Sequence, residues 1–237
     1  MAALSRRVPA PWHAWLGGAV FVGSLGYFLY AYFVRMGRPA PVEASRVTAV
    51  LADVGLFSAF ALHHSLLARS GAKRWLTARL DPRLERSLYV WISSVLFIAV
   101  CWLWQPLPGE VYRQAGPATV PHWMAVAGGV WLTLRSAGVI EPLELAGIRQ
   151  AAGDLRPPAF KIHGPYHVVR HPIYLGWLLM VFGVPHMTWT RLLFATISSA
   201  YLVVAIRFEE RSLLETFGEA YRAYQETVRW RMVPGIW

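Results

Sequence analysis

The fourteen residues from His163 to Gly176, HGPYHVVRHPIYLG, bring three histidines, an arginine, two tyrosines and two prolines to the start of an apolar run. Imidazole, guanidinium and phenol groups exchange protons, pair with carboxylates and donate hydrogen bonds, so their concentration here marks a candidate site. His163, His167 and His171 recur every four residues, a spacing that on one helix would suggest metal ligands. The prolines argue against that unbroken helix. Gly164-Pro165 permits a turn and then fixes the next dihedral. His171-Pro172 pushes the histidine towards extended backbone and suits proline to the first turn of a new helix. The segment reads as a stiffened polar entrance to a membrane helix; the plainer alternative is a set of ordinary polar residues near a membrane surface.

A second polar group follows the last apolar run. Glu209 and Glu210 open a stretch in which Leu214, Phe217, Tyr221, Tyr224 and Val228 recur at three- or four-residue intervals, one semi-apolar face of a helix broken near Gly218. Buried carboxylates need partners. Arg170, Arg207 or Arg211 would supply them in a purely structural network. In the functional reading, polar groups from both ends of the last hairpin hold a charged cofactor beneath an apolar tunnel. No GxGxxG, P-loop, GxSxG or HExxH sequence offers a competing site.

The elements that carry these groups are membrane helices. Of 237 residues, 56% are hydrophobic and only 15% charged, and a bilayer-spanning helix needs about 20 mainly apolar residues. Val8 to Val34, Ser87 to Gly109, Gln114 to Leu134, His171 to Thr190 and Leu192 to Ile206 contain no Asp, Glu, Lys or Arg, and Val47 to Ala68 only Asp53. The chain is therefore expected to be an all-α polytopic membrane bundle of about six spans (5–7), with a C-terminal cytoplasmic helical segment. The expected helices are Trp12 to Val34, Val47 to Leu67, Leu88 to Trp104, Pro121 to Ala137, and a short hairpin of Ile173 to Val184 and Leu192 to Ile206. Gly17, Gly18, Gly23 and Gly26 suggest close packing of the first helix. Trp102 and Trp104 suit an interface. Arg6 and Arg7 precede an apolar run too long for a signal core, so that run is expected to be a retained helix. Residues 1–237 read as a single membrane domain, of which 163–237 form the cofactor-binding motif, hairpin and closing segment.

The net charge of +10 borders the apolar runs and forms no separate basic domain, which excludes a nucleic-acid-binding reading and leaves membrane lipids as partners. Arg69, Lys73, Arg74, Arg79, Arg83 and Arg86 in one connection, and Arg149, Arg156, Lys161 and Arg170 in another, place both in the cytoplasm, together with the N- and C-termini. No obligate protein partner is evident. Cys101 rules out intramolecular disulfides and reads as a small core residue. His63 and His64, near the end of the second span, are either an interfacial pair or residues of a substrate entrance.

GPYHVVRHPIYLG at 164–176 and FEERSLLETFGEAYRAY at 208–224 resemble the integral-membrane methyltransferases that include isoprenylcysteine carboxyl and phospholipid N-methyltransferases. FALHHSLLARSGAKRWL, LERSLYV and LELAGIRQ further resemble the branch of methanethiol S-methyltransferases and NnrU-like proteins. The resemblance implies S-adenosylmethionine as methyl donor, with Gly164, Tyr166, Arg170, His171, Tyr174, Glu209 and Glu210 around it and Tyr221 and Tyr224 closing over it. Arg170 would then pair with the donor's carboxylate, and Glu209 or Glu210 with its amine or ribose. The implied acceptor is a small or lipophilic thiol, deprotonated by His171, His167 or Tyr166. Where small-thiol relatives have a His-Asp pair, this chain has Glu141 and Glu144, which are expected at the substrate entrance. The alternatives are a carboxyl or phospholipid N-methyltransferase, a di-iron membrane hydroxylase or desaturase, and a non-catalytic NnrU-like membrane protein; no metal site is expected.

Overall fold

The structure, a computed structural model, describes residues 11–40, 46–67, 70–155 and 159–237. Arg6, Arg7, Arg69, Arg156 and the Lys73 side chain lie outside the described residues. Five helices are long and apolar enough to cross a bilayer. They are α1 (Trp12–Tyr30, extended by a π-helical turn Ala31–Arg35), α2 (Arg46–Leu67), α4 (Pro82–Leu103), α5 (Thr119–Ile140) and α9 (Trp189–Phe217). The short helix α3 (Ser70–Thr77) joins α2 to α4, α6 (Pro142–Leu145) and α7 (Ile148–Ala151) follow α5, and α10 (Glu219–Thr227) follows α9. The sixth apolar helix, α8 (Pro172–Phe182), has only 11 residues, about 16 Å at 1.5 Å per residue.

A helix that short ends inside hydrocarbon unless its last carbonyls find donors. Here they do. The Tyr32 hydroxyl donates to the Val181 carbonyl, the Tyr112 hydroxyl to Val184 at 2.9 Å and the Gln114 N–H to Pro185 at 2.8 Å. Two strands complete the end, β1 (Glu110–Arg113) and β2 (His186–Thr188), paired antiparallel with Arg113 opposite His186. The all-α class expected from the sequence stands, with this small ribbon added where only a turn was expected. Arg191 opens α9 fully desolvated. Its Nε and Nη2 donate to the Tyr32 and Phe33 carbonyls at 2.9 and 2.7 Å, so one guanidinium caps the end of α1.

Helix limits differ from the expected ones where capping decides them. α4 begins at Pro82, six residues before Leu88, because the Asp81 carboxylate accepts from the Arg83 N–H at 2.9 Å and proline occupies the first turn. Trp104 is not an interfacial anchor: it is 4% exposed and packs edge-on against Phe194 at 5.0 Å. Around it Phe28, Tyr32, Phe57 and Phe194 form the aromatic core, with Phe28 stacked on Trp177 at 4.7 Å. Of the four glycines of α1, Gly17 and Gly18 are closely packed as expected, a Cβ there standing 2.7 Å from the Trp91 side chain of α4 and 2.8 Å from that of Ile148 in α7, whereas nothing lies within 4 Å at Gly23 and Gly26. A further close approach, backbone to backbone, falls between α5 and α8, where a Cβ on Gly129 would stand 2.6 Å from the Gly176 carbonyl.

That crossing fixes the depth of α8. Gly176→Val is therefore expected to overpack it at a cost of about 1–3 kcal/mol. This corresponds to a fall of about 2–12 °C in Tm, measured by thermal melting in detergent. Gly128→Val, at a position with nothing within 4 Å, should melt like the parent. Equal Tm values for both variants would show that the α5–α8 crossing is looser than described.

Candidate functional site

Gly164 opens the motif with φ +58°, a left-handed conformation that glycine adopts without strain. A 3-10 turn, Gly164–His167, follows. The chain then dives inward: Val169, Arg170 and His171 are buried, and Pro172 starts α8. The three histidines therefore share no helical face. His163 and His167 are exposed and His171 is buried. Among the described residues no group of three or more His, Cys, Asp or Glu side chains is placed to hold a metal.

On the other side of the site, α9 continues past the apolar core and presents two consecutive glutamates, which point in different directions because successive helical residues are about 100° apart. Glu210 faces in. Its Oε1 accepts from Arg170 Nε at 2.7 Å and lies 3.4 Å from His171 Nε2. Its Oε2 lies 3.4 Å from Gln225 Nε2 and 3.3 Å from Arg231 Nε. Glu209 faces the opening, its side chain 44% exposed. Its Oε2 accepts from the Tyr174 hydroxyl at 2.7 Å and lies 3.5 Å from His171 Nδ1. His171 and Tyr174 stack with ring centroids 5.3 Å apart.

The C-terminal segment closes this centre. Gly218, at φ +52°, breaks the long helix where the sequence predicted, and α10 turns back. Tyr221 and Tyr224 pack edge-on against Phe160, and the Tyr224 hydroxyl donates to the Tyr166 carbonyl at 2.7 Å. Beyond α10 the chain runs beside the motif. The Arg170 and His171 N–H groups donate to the Trp230 and Arg231 carbonyls at 2.9 and 2.7 Å. Arg170 Nη1 donates to Val228 and Arg229 carbonyls at 2.8 and 3.1 Å.

Charge states follow from these contacts. Burial alone would hold the His171 imidazole down, but hydrogen bonds and charge from Glu209 and Glu210 outweigh it and raise its pKa, which favours the protonated ring. Burial pushes the Tyr166 hydroxyl well up, reinforced by Glu209 and Tyr224, and takes Tyr224 to about 12. Both are hydrogen-bond donors at neutral pH. The Tyr221 hydroxyl is also pushed up by burial, and it is buried with no partner among the described residues.

The structure thus brings together Gly164, Tyr166, Arg170, His171, Tyr174, Glu209, Glu210, Tyr221 and Tyr224. Glu141 and Glu144 are bound elsewhere: Arg149 Nη1 holds them at 2.8 and 3.2 Å, and Lys161 holds Glu141 at 2.6 Å. His63 has both ring nitrogens buried without a partner among the described residues, whereas His64 meets the Tyr89 hydroxyl at 3.0 Å. Sequence reasoning missed Gln225, Arg231 and Tyr89. Tyr89 is a polar residue in an apolar run, inside the quoted stretch LERSLYV, and that was the available signal.

Residues 123–220 match the phospholipid methyltransferase family. The chain is 38% identical to the methanethiol S-methyltransferase of Mycobacterium tuberculosis, over 88% of this chain and 93% of that protein. It is 36% identical to the methanethiol S-methyltransferase of Pseudomonas deceptionensis, over 82% and 78%, and 30% identical to human nurim, over 76% and 74%. No solved structure matches it significantly. With that identity over most of both chains, and both motifs folded against one another, this chain belongs to the methanethiol S-methyltransferase family of membrane methyltransferases, related to the phospholipid methyltransferases.

Proposed function

We propose that this protein transfers a methyl group from S-adenosylmethionine to a small thiol such as methanethiol, at the centre formed by the motif turn, α8, α9 and α10. The observation that carries the reading is Glu209. Where the neighbouring Glu210 is bonded on both oxygens, Glu209 stands 44% exposed beside the His171 ring and the Tyr174 hydroxyl. When bound, the donor supplies a methyl group already activated on a positively charged sulfur. The residues present fit such a group. A half-exposed carboxylate suits an ammonium or ribose hydroxyls, the open space at Gly164 leaves backbone accessible, and the unpartnered Tyr221 hydroxyl offers one further polar contact.

The protein's part is placement and the exclusion of water. Arg170 is 9% exposed and already donates to Glu210 and two carbonyls, so we assign it to bracing the closing segment rather than to the donor's carboxylate. His171, between two carboxylates that favour its protonated form, orients Glu209. Tyr166 donates a hydrogen bond at the opening, and Tyr221 and Tyr224 hold α10 over it. Residues 1–237 act as one membrane unit in this reading, with 163–237 as the donor-binding part. The phospholipid methyltransferase match keeps one other acceptor in contention, an amine headgroup.

The purified protein, given methanethiol, a longer alkyl thiol, an isoprenylated cysteine and phosphatidylethanolamine, is expected to methylate the small thiols fastest, as followed by mass spectrometry. Preference for the phospholipid would overturn the thiol assignment. Glu209→Gln should weaken donor binding about 10- to 100-fold by calorimetry, the worth of one charge-assisted hydrogen bond, without lowering Tm. Glu210→Gln should destabilise the fold instead, since it leaves buried cations without their partner. Native donor affinity in Glu209→Gln would remove that residue from the site.

The raised pKa of His171 carries a stability consequence. Its pairing with Glu209 and Glu210, with Arg170 and Tyr174 beside it, contributes fully below the ordinary histidine value of about 6.5. The contribution is lost as pH rises through the elevated value. Tm in detergent should fall as pH rises above about 6.5, and this slope should vanish in His171→Asn. The same slope in both proteins would show that another group titrates.

We further propose a bacterial inner membrane location with both termini cytoplasmic, which puts the site on the cytoplasmic face. In a Cys101→Ala background, Ala115→Cys should react with an impermeant maleimide in intact cells and Ala223→Cys only after permeabilisation. Labelling of both from one side would reject this topology.

A further inference from the structure

We propose that His64, held by Tyr89, is the proton acceptor for the thiol acceptor of this reaction, an inference that rests on the thiol methyltransferase reading above. A neutral alkyl thiol must lose its proton before or during attack, so the site needs a base not already paired with a carboxylate. The motif does not supply one. Each ring nitrogen of His171 faces a carboxylate, at 3.5 and 3.4 Å, which favours the protonated ring. His163 and His167 are exposed on the surface of the motif turn, and the Tyr166 hydroxyl holds its proton.

The second span brings a candidate base on a helix that meets α9 through Ser65 and Tyr201. His64 lies near the end of α2, its Nδ1 and Nε2 3.0 and 3.1 Å from the Tyr89 hydroxyl of α4. The same helix places Ser65 3.1 Å from the Tyr201 hydroxyl of α9. These groups share one electrostatic neighbourhood with the donor centre. Glu209 acts on both His64 and Tyr201, and Tyr89 and Tyr201 act on Tyr174, whose hydroxyl bonds Glu209. The titratable and charged groups facing His64 are His63 on its own helix, Arg86 and Tyr89 from α4, and Glu209 from α9. Among the described residues no carboxylate is hydrogen-bonded to the ring.

The walls suit a small apolar thiol. The imidazole lies 5.5 Å from the Phe60 ring and 5.3 Å from Tyr89, and Phe60 packs on Phe97 at 5.5 Å. In the step, the S–H bond breaks and its proton passes to the imidazole. The sulfur pair forms the new S–C bond, and the methyl's old bond to the donor sulfonium breaks with its pair left on that sulfur, now a neutral thioether. Tyr89 is a positioning residue, because its hydroxyl fixes the ring.

Two acceptors separate this role from a structural one: ethanethiol, protonated at neutral pH, and 4-nitrothiophenol, ionised there. His64→Gln is expected to lower kcat with ethanethiol at pH 7 by at least about 100-fold and with 4-nitrothiophenol by less than about tenfold. Its ethanethiol rate should climb about tenfold per pH unit, following thiolate in solution. S-adenosylmethionine affinity by calorimetry should stay within about threefold of the parent, which shows that the variant is folded and loaded. Tyr89→Phe should lower kcat about tenfold with ethanethiol only, at unchanged KM. Equal losses with both thiols in both variants, or no loss with ethanethiol, would overturn the assignment. A parent protein that methylates neither thiol would instead refute the thiol methyltransferase reading.

Discussion

One buried carboxylate holds this site together. Glu210, 5% exposed, meets four side chains from three segments: Arg170 and His171 from the motif turn, Gln225 from α10 and Arg231 from the tail. Desolvating a carboxylate costs several kcal/mol unless opposite charge and hydrogen bonds replace its water. Any one of these segments alone leaves it undercompensated. The centre therefore assembles only when α9, the motif and the C-terminal segment are all in place, and it couples closure to the geometry of the pocket mouth. His171 extends the same network to Glu209, so the exposed carboxylate inherits its position from the buried one.

The bilayer sets the second constraint. Backbone ends cannot be left open in hydrocarbon, yet α8 is too short to cross without help. Its last carbonyls are met by Tyr32, Tyr112 and Gln114 from the far-side connections, and its depth is set by the Gly129–Gly176 approach. A short α8 leaves room on the near side for the motif turn to sink inward. Polar side chains of the motif then lie below the ends of the neighbouring helices, where water is excluded and charge interactions are stronger.

Much of this was legible in the sequence, for identifiable reasons. Charge-free runs mark spans because burying a charge in lipid is costly, and Gly164, Pro172 and Gly218 mark breaks because their backbone preferences are local. Both glutamates were readable as site residues, but their division of labour was not, since it depends on the rotational setting of α9 against the motif. The same holds for Glu141 and Glu144, whose partners Arg149 and Lys161 come from a folded connection rather than from helical spacing. Gly23 and Gly26 look like packing glycines and are not, whereas Gly129 and Gly176 are; composition is shared, and only the facing helix distinguishes them. Tyr89 was quoted within LERSLYV but not singled out, and Gln225 falls one residue past the second motif, because their roles depend on contacts between distant helices.

The arrangement separates two chemically unlike ligands. Around Glu210 and Glu209 the side chains are charged and phenolic, and they come from the end of the bundle that the closing segment covers; this suits a water-borne, charged donor. Around His64 the neighbours are Phe60, Phe97 and Tyr89 inside the helices, which suits an apolar acceptor that partitions into lipid. Glu209 lies between the two environments, bonded to Tyr174 and acting electrostatically on His64. A cationic sulfur held there is drawn to the carboxylate, and a proton leaving the acceptor moves towards a ring under the influence of the same charge. Both effects fall off steeply with distance and with water in between, so they depend on α10 being closed. The structural role of Glu210 and the chemical role proposed for Glu209 are thus linked by adjacency on one helix: when the inner carboxylate is satisfied, the outer one is aimed.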